Sequence, residues 1–252
     1  MCKKIAFFDI DGTLITSPEK IMPESTKKAL NLLHEKGILV FVATGRAYWY
    51  ANFMSEYFDF DGYLCCNGRY CVEKNENILF RTNISSKSID EFISYALEEN
   101  ELVEFVDDTD RYVLESIQCK GVHPVTSVTT DVLRTKHIML INIFSDLSRD
   151  EKLQKRFSDC QIVRWIENFA DVYPIDGGKD VGIKKVLKSY NINLQNVVAF
   201  GDGGNDVSML KYVPNSFAMG NAKEFVKNSA TYITDSIEDN GVYNALKCLE
   251  WI

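Results

Sequence analysis

Asp9 and Asp11 follow directly on the apolar run Ile5-Ala6-Phe7-Phe8 and precede Gly12-Thr13. Three further polar groups follow apolar segments or glycines in the same way: Thr44-Gly45-Arg46 after residues 38–43, Lys179 after Gly177-Gly178, and Asp202-Gly203-Gly204-Asn205-Asp206 after residues 197–200. Where such apolar runs are parallel strands, ligands collect beyond their carboxyl ends, so all four groups are candidates for one site. Asp9, Asp11, Asp202 and Asp206 would repel one another at such an edge unless a hard cation offset them. An oxygen-only donor set points to Mg²⁺. Around it, the hydroxyl of Thr44, the ammonium of Lys179 and the amide of Asn205 suit phosphate oxygens, and Gly12 allows close backbone approach. Negative ligands bridged by a metal and a lysine are what phosphoryl transfer requires.

The elements that must position these residues alternate in the required way. Residues 5–8 read as the first buried strand. Residues 23–37 read as a helix with Thr26, Ala29, Leu30 and Leu33 on one face, Pro23 in its first turn and Gly37 at its end. A second strand over 38–43, a helix over 47–57, a strand over 63–66 and a hairpin over 70–81 follow. A strand-helix-strand order implies parallel pairing with a right-handed crossover. Beyond Thr82 the pattern changes to a helix over 86–99, with Ile89, Phe92, Ile93, Ala96 and Leu97 on one face. Strand-like runs then appear at 102–107, 111–116, 137–144, 161–166 and 170–174. After Gly178 regular alternation resumes: a helix carrying Ile183, Val186, Leu187 and Tyr190, a strand over 197–200, a helix from Met209, a strand over 216–219 and a final helix near 241–250. The fold expected is α/β, a Rossmann-like doubly wound parallel-sheet core made of residues 1–81 and 178–252. Residues 82–177 form an inserted α+β unit.

Composition narrows the function. The 252 residues carry 28 Lys and Arg against 36 Asp and Glu, a net charge of −8, which argues against a nucleic-acid or anionic-membrane partner. No apolar run reaches membrane-spanning length, and residues 1–8 are too short for a secretory leader, so a cytoplasmic protein is expected. Seven scattered cysteines (Cys2, Cys65, Cys66, Cys71, Cys119, Cys160, Cys248) without a C-x-x-C pair read as reduced, mostly buried thiols, and His34, His123 and His137 read as structural or surface residues. The glycines after residue 200 do not match G-x-G-x-x-G, and no P-loop motif occurs, which sets nucleotide binding of those kinds aside.

Taken together, D-I-D-G-T at 9–13, Thr44 in V-A-T-G-R, Lys179 and G-D-G-G-N-D at 201–206 resemble the four ordered motifs of the haloacid dehalogenase-like superfamily of phosphatases. The resemblance spans the chain. The insert of residues 82–177 is similar to the type IIB α/β cap of the Cof-like, sugar-phosphatase branch, and the departures, Asp180 and Gly204, touch no motif carboxylate. The resemblance implies that Asp9 is the nucleophile that forms an aspartyl-phosphate, while Asp11 protonates the leaving alkoxide and later activates water. It also implies that Asp9, the Asp11 backbone carbonyl and Asp202 hold Mg²⁺, with Asp206 orienting metal waters or Lys179. Thr44, Asn205 and Lys179 would bind the phosphoryl group, with Gly45 and Arg46 at the substrate.

Each residue also has a plainer role: Asp-Gly as a turn, Thr44 as a helix cap, Lys179 as a solvated cation, Arg46 as half of a surface ion pair. Glu104, Tyr112 and Tyr173 in the insert carry no readable assignment. The favoured expectation is a Mg²⁺-dependent phosphatase, monomer or homodimer, acting on a small phosphorylated metabolite such as a sugar phosphate, FMN or pyridoxal phosphate. The alternatives are a phosphomutase resembling the phosphomannomutases and a non-catalytic phosphate-binding signalling protein.

Overall fold

A computed structural model describes residues 3–117 and 125–252, so Cys2, Cys119 and His123 lie outside the described residues. Strand β1 (Ile5–Phe8) is fully buried. Helix α1 (Glu24–Glu35) buries Thr26, Ala29, Leu30 and Leu33, the stripe expected of its spacing. It ends where Gly37 takes φ +68° and the Ile38 N–H closes on the Leu33 carbonyl at 3.0 Å. Strand β2 (Leu39–Ala43) follows. Helix α2 (Tyr48–Ala51) is a single turn continued as 3₁₀ through Glu56, not the regular helix expected over 47–57. Its Tyr-Trp-Tyr sequence is a weak helix former, and no side chain caps its start. Strands β3 (Gly62–Cys65), β4 (Tyr70–Glu73) and β5 (Ile78–Arg81) complete the first part of the chain.

Helix α3 (Ser86–Glu99) opens on Ser85, whose hydroxyl accepts the Ser88 N–H at 3.1 Å. Its Ile89, Phe92, Ile93 and Ala96 are buried, but Leu97 is exposed, at the margin of the apolar stripe. Strands β6 (Val103–Val106), β7 (Arg111–Leu114) and β8 (Thr126–Val128) come next. Helix α4 (Thr130–Arg134), β9 (Leu140–Ile143), α5 (Asp150–Arg156), β10 (Cys160–Ile166) and β11 (Phe169–Pro174) follow. The last part holds α6 (Lys179–Tyr190), β12 (Val197–Gly201), α7 (Val207–Tyr212), β13 (Asn215–Ala218), α8 (Glu224–Lys227), β14 (Tyr232–Ile233) and α9 (Gly241–Cys248). No helix of the described residues is long and apolar enough to cross a membrane.

These strands make two sheets, an eight-stranded one in the order β14-β13-β12-β1-β2-β3-β4-β5 and a six-stranded one in the order β10-β11-β9-β6-β7-β8. In the first, β14 through β3 run parallel, and β4 pairs antiparallel with both β3 and β5. The chain moves outward from β1 to β3, then returns to the other side of β1 as β12, so the crevice at β1 and β12 is the topological switch point. Both faces of that sheet are covered, as a doubly wound fold requires. Ala6, Phe8 and Phe200 pack with α1 and α9, whereas Ile5, Phe7 and Ala199 pack with α6 and α7. Phe8, Phe200 and Phe217 stack across three strands at centroid distances of 5.0 and 5.1 Å.

The second sheet buries one face, Phe105, Ile141, Ile143 and Val172, against α3, α4 and α5 in a cluster of its own. Its other face turns to the first sheet, where Val106, Leu140 and Tyr173 join the cluster that contains Phe8 and Phe200.

Candidate active site

Asp9 emerges from β1 and Asp202 from β12, neighbouring strands in parallel register, and the Asp9 N–H still bonds the Phe200 carbonyl at 3.0 Å. Carboxylate oxygens of Asp9, Asp202 and Asp206 lie within 4.8 Å of one another. Lys179, wholly buried at the first position of α6, donates from Nζ to Asp9 Oδ1 at 2.6 Å and to Asp206 Oδ1 at 2.5 Å. The second oxygen of Asp206 accepts the N–H groups of Asp202 at 3.0 Å and Gly203 at 2.8 Å, so both its oxygens are spoken for and it shapes the loop. Asp202 is braced by the Asn221 amide at 3.2 Å and the Thr13 hydroxyl at 3.4 Å.

One lysine among three carboxylates leaves an excess of buried negative charge. Burial first and Asp206 second push Asp9 well above the ordinary carboxylate range, and the same two causes push Asp202 up to about 7. Lys179 is raised in turn: burial alone would lower it, but Asp206 and Asp9 outweigh that. A largely buried cluster that carries excess negative charge, offers only carboxylate oxygens and includes no histidine or cysteine is chemically suited to Mg²⁺.

The fourth carboxylate departs from the expected convergence. Asp11 borders the same cavity as Asp9 and Asp202 but is not one of the three clustered carboxylates. Its oxygens are taken by Arg46, with Nε at 2.9 Å from Oδ2 and Nη2 at 2.8 Å from Oδ1. The geometric reason is that the chain turns immediately after β1. The Gly12 N–H bonds the Ile15 carbonyl, the Leu14 N–H bonds that of Ile10, and Gly12 takes φ +76°. A Cβ at Gly12 would stand 2.3 Å from Asp202 Oδ2, so this turn and the carboxylate cluster share one space.

Thr44 is buried at the end of β2. Its Oγ1 accepts the Arg46 N–H at 3.1 Å, so it caps no helix and its own O–H proton remains available to donate. Gly45 and Arg46 line a cavity of about 420 Å³ between the start of α2 and the inner face of the second sheet, and Arg46 Nη1, buried, has no hydrogen-bond partner there. Asn205, also buried, donates from Nδ2 to Asn67 Oδ1 at 3.1 Å. Asn67 and Asn221 bond residues of this site and were not among the residues that the sequence singled out. The signal for Asn67 was present, a polar residue beside a glycine at the end of a buried strand, the same signature as Asp9 and Asp202. Asn221 has no comparable local signature.

The floor of the cavity is a transverse polar row on three paired strands, Glu104 on β6, Asn142 on β9 and Asp171 on β11. All three are buried, and Asn142 donates to Glu104 at 3.3 Å. Aromatic walls are supplied by Trp49, Phe144 and Phe169. Tyr112 stands apart from this floor, its hydroxyl donating to Asp107 at 3.0 Å, and Tyr173 packs in the core. Among the described residues, Cys65, Cys66, Cys71 and Cys160 are buried free thiols, pushed up from the usual range by burial, whereas Cys248 is exposed. His34 bonds Asp61 and His137 bonds Asn83, both at 3.0 Å and both away from this site.

Comparison with known proteins gives a consistent picture. The model of the haloacid dehalogenase-like hydrolase family matches residues 6–246. A Bacillus subtilis protein provisionally named a phosphatase is 31% identical over 98% of both chains. A 5-amino-6-(5-phospho-D-ribitylamino)uracil phosphatase of the same organism is 26% identical over 99% of this chain and 96% of its own. Among solved structures, a subclass IIB sugar phosphatase superposes with a TM-score of 0.88 at 31% identity, covering 99% of this chain and 100% of its own. A phosphatase from Bacteroides thetaiotaomicron superposes with a TM-score of 0.90 at 27% identity, covering 100% of this chain and 96% of its own.

Proposed function

The chain belongs to the haloacid dehalogenase-like hydrolases and is an enzyme of their subclass IIB phosphatases, and from that premise we propose that it hydrolyses a small phosphomonoester through an aspartyl-phosphate on Asp9. The observation that carries this is the pairing of two aspartates, each with its own cation, on one cavity: Asp9 with Lys179 and Asp11 with Arg46. A nucleophile and a proton carrier must stay chemically distinct, and separate cations keep them so.

Asp9 attacks phosphorus, the bond to the leaving oxygen breaks, and Asp11 supplies the proton that the leaving alkoxide needs. Asp11, now a carboxylate, takes a proton from the water that attacks the acyl-phosphate, which releases inorganic phosphate and restores Asp9. Lys179 offsets charge on Asp9 and on the transferred group, while the Thr44 hydroxyl and the free N–H of the Asn205 amide face phosphoryl oxygens. Asp9, the Asp11 backbone carbonyl and Asp202 would hold Mg²⁺, with Asp206 fixing the loop. When bound, the ion offsets the clustered carboxylates and polarises the phosphoryl group.

Residues 1–81 and 178–252 act as the catalytic core and residues 82–177 as its cap. The separate hydrophobic cluster of the second sheet and the cavity it closes against Gly45 and Arg46 support that division. The leaving group then lies in that cavity, over Glu104, Asn142 and Asp171. A floor rich in acceptors suits a leaving group that carries several hydroxyl donors, as a sugar does. The proposed setting is the cytoplasm, where buried reduced thiols persist.

The test is phosphate release from p-nitrophenyl phosphate and a panel of phosphorylated metabolites with Mg²⁺. Activity is expected to vanish with chelator and in Asp9→Asn. Undiminished turnover in Asp9→Asn removes Asp9 as nucleophile, and isomerised hexose phosphate in place of free phosphate converts the enzyme into a mutase.

A further inference from the structure

Asn67 sits where β3 ends, wholly buried, in the left-handed conformation (φ 49°, ψ 45°) directly after Cys66 at φ 50°. Successive left-handed residues other than glycine are uncommon and cost on the order of 1 kcal/mol each, so the surroundings must hold them there. They do so through every polar group Asn67 owns. Its N–H donates to the Thr44 carbonyl at 3.1 Å, and its carbonyl accepts the Gly178 N–H, next to Lys179, at 3.0 Å. Its side-chain Nδ2 donates to Asp171 Oδ2 at 2.9 Å and its Oδ1 accepts from Asn205 Nδ2 at 3.1 Å. One residue outside the four motifs is therefore bonded to three of them and to the second sheet. The packing is equally tight: a Cβ at the adjacent Gly68 would stand 2.2 Å from the Gly178 carbonyl oxygen.

We propose that Asn67 is a positioning residue that transmits the orientation imposed by Asp171, on the second sheet, to the phosphate-binding amide of Asn205. Asp171 Oδ2 accepts from the NH₂ end of the Asn67 amide, which fixes that end of the amide toward the second sheet. That leaves the Asn67 oxygen facing Asn205, which must answer with its own NH₂, and the second N–H of that group is the one left for a phosphoryl oxygen. The sense of the whole chain is set by the acceptor at its cap end. Asp171 also lines the leaving-group cavity. The strand that meets the leaving group thus presets the amide that meets the phosphate, and a second sheet out of place leaves Asn205 unoriented. All three side chains are buried, with exposures of 3, 0 and 5% for Asp171, Asn67 and Asn205, so water does not substitute freely for any link.

The proposal rests on the phosphatase assignment above, and a charge exchange tests it. Asn67→Asp sets two carboxylates against each other and is expected to lower kcat/KM about a hundredfold. Adding Asp171→Asn restores a donor facing a carboxylate, in the same sense toward Asn205, and is expected to recover at least about tenfold. The companion measurement is competitive inhibition by inorganic phosphate with Mg²⁺ present, using p-nitrophenyl phosphate. Its inhibition constant is expected to rise about tenfold in Asn67→Leu and in Asp171→Ala, which a loss of folded enzyme alone does not produce. Asp171→Ala shortens a side chain that borders a cavity and carries the test alone if the Asn67 variants do not fold. An exchange pair no better than Asn67→Asp, or phosphate inhibition at the wild-type value in the folded variants, overturns the relay. A wild-type enzyme that hydrolyses no phosphomonoester overturns the phosphatase assignment and the relay together, whereas an active wild type with a failed exchange overturns the relay alone.

Discussion

Arg46 grips Asp11 with both arms of its guanidinium fork, Nε on one carboxylate oxygen and Nη2 on the other, at 2.9 and 2.8 Å. The fork is itself stacked, its Cζ lying 4.5 Å from the Tyr50 ring centroid. A group held this way is presented in one orientation on the cavity it shares with Asp9, where the proposed reaction needs it. To deliver a proton to the leaving group in the first half, Asp11 must be loosened, and Arg46, which lines the neighbouring cavity, is the group whose shift toward a substrate oxygen would loosen it.

Planarity and two-point attachment, not charge alone, are then what position 46 contributes. Arg46→Lys keeps the charge but loses the fork and the stacking, so it is expected to fall nearly as far as Arg46→Ala, about 10- to 100-fold in kcat/KM. Steady-state kinetics on one substrate check this. Wild-type activity in Arg46→Lys would leave the pair as a surface ion pair with no part in the chemistry.

How far the site was legible depended on whether its cause was local. Asp9 and Asp202 were readable because each follows a continuous apolar run, and such runs in a parallel sheet are local signals. Helix α3 and the β4–β5 hairpin were readable for the same reason, a period and a turn contained in one stretch of sequence. The partners that give the aspartates their character were not. Arg46 reaches Asp11 across 35 residues, and Asn67 reaches Asp171 across 104 and Asn205 across 138. No periodicity encodes such pairings. Short elements also escaped: β8, β14, α4 and α8 span two to five residues each, too few to show a pattern. The early end of α2 has a different cause, a weak helix-forming Tyr-Trp-Tyr run without a side-chain cap, two of whose rings line the cavity.

The buried carboxylates make stability depend on pH in a direction opposite to the usual one. Asp202 has an ordinary value of 3.8 and is pushed up to about 7 by burial and by Asp206. Between those values the native state holds a proton that the unfolded chain releases, so without metal this group's contribution is full below about pH 4 and is lost as pH rises toward 7. Mg²⁺ supplies the missing positive charge, and its effect should grow as the carboxylates ionise. Thermal unfolding with chelator and with Mg²⁺ is expected to show a gain several degrees larger at pH 8 than at pH 5, with the difference much reduced in Asp202→Asn. An equal gain at both pH values would show that these carboxylates do not hold the ion.

Lys179 separates what the site does for stability from what it does for chemistry. It bridges Asp9 and Asp206 in a space closed to water, with Lys179 and Asp206 both wholly buried. Removing one member of such a group strands the others, a loss of about 3–5 kcal/mol for a buried pair. Lys179→Met is therefore expected to lose about that much unfolding free energy in chelator, read from denaturant titration. Adding Asp206→Asn removes the stranded charge while an amide oxygen can still accept the N–H groups of Asp202 and Gly203. The double variant should recover about 1–2 kcal/mol and stay inactive, because no side-chain cation then offsets charge on Asp9 and the phosphoryl group. A double variant no more stable than Lys179→Met would mean that the lost stability came from the packing of the lysine stem. Activity returning with stability would mean that Lys179 serves the fold and has no part in phosphoryl transfer.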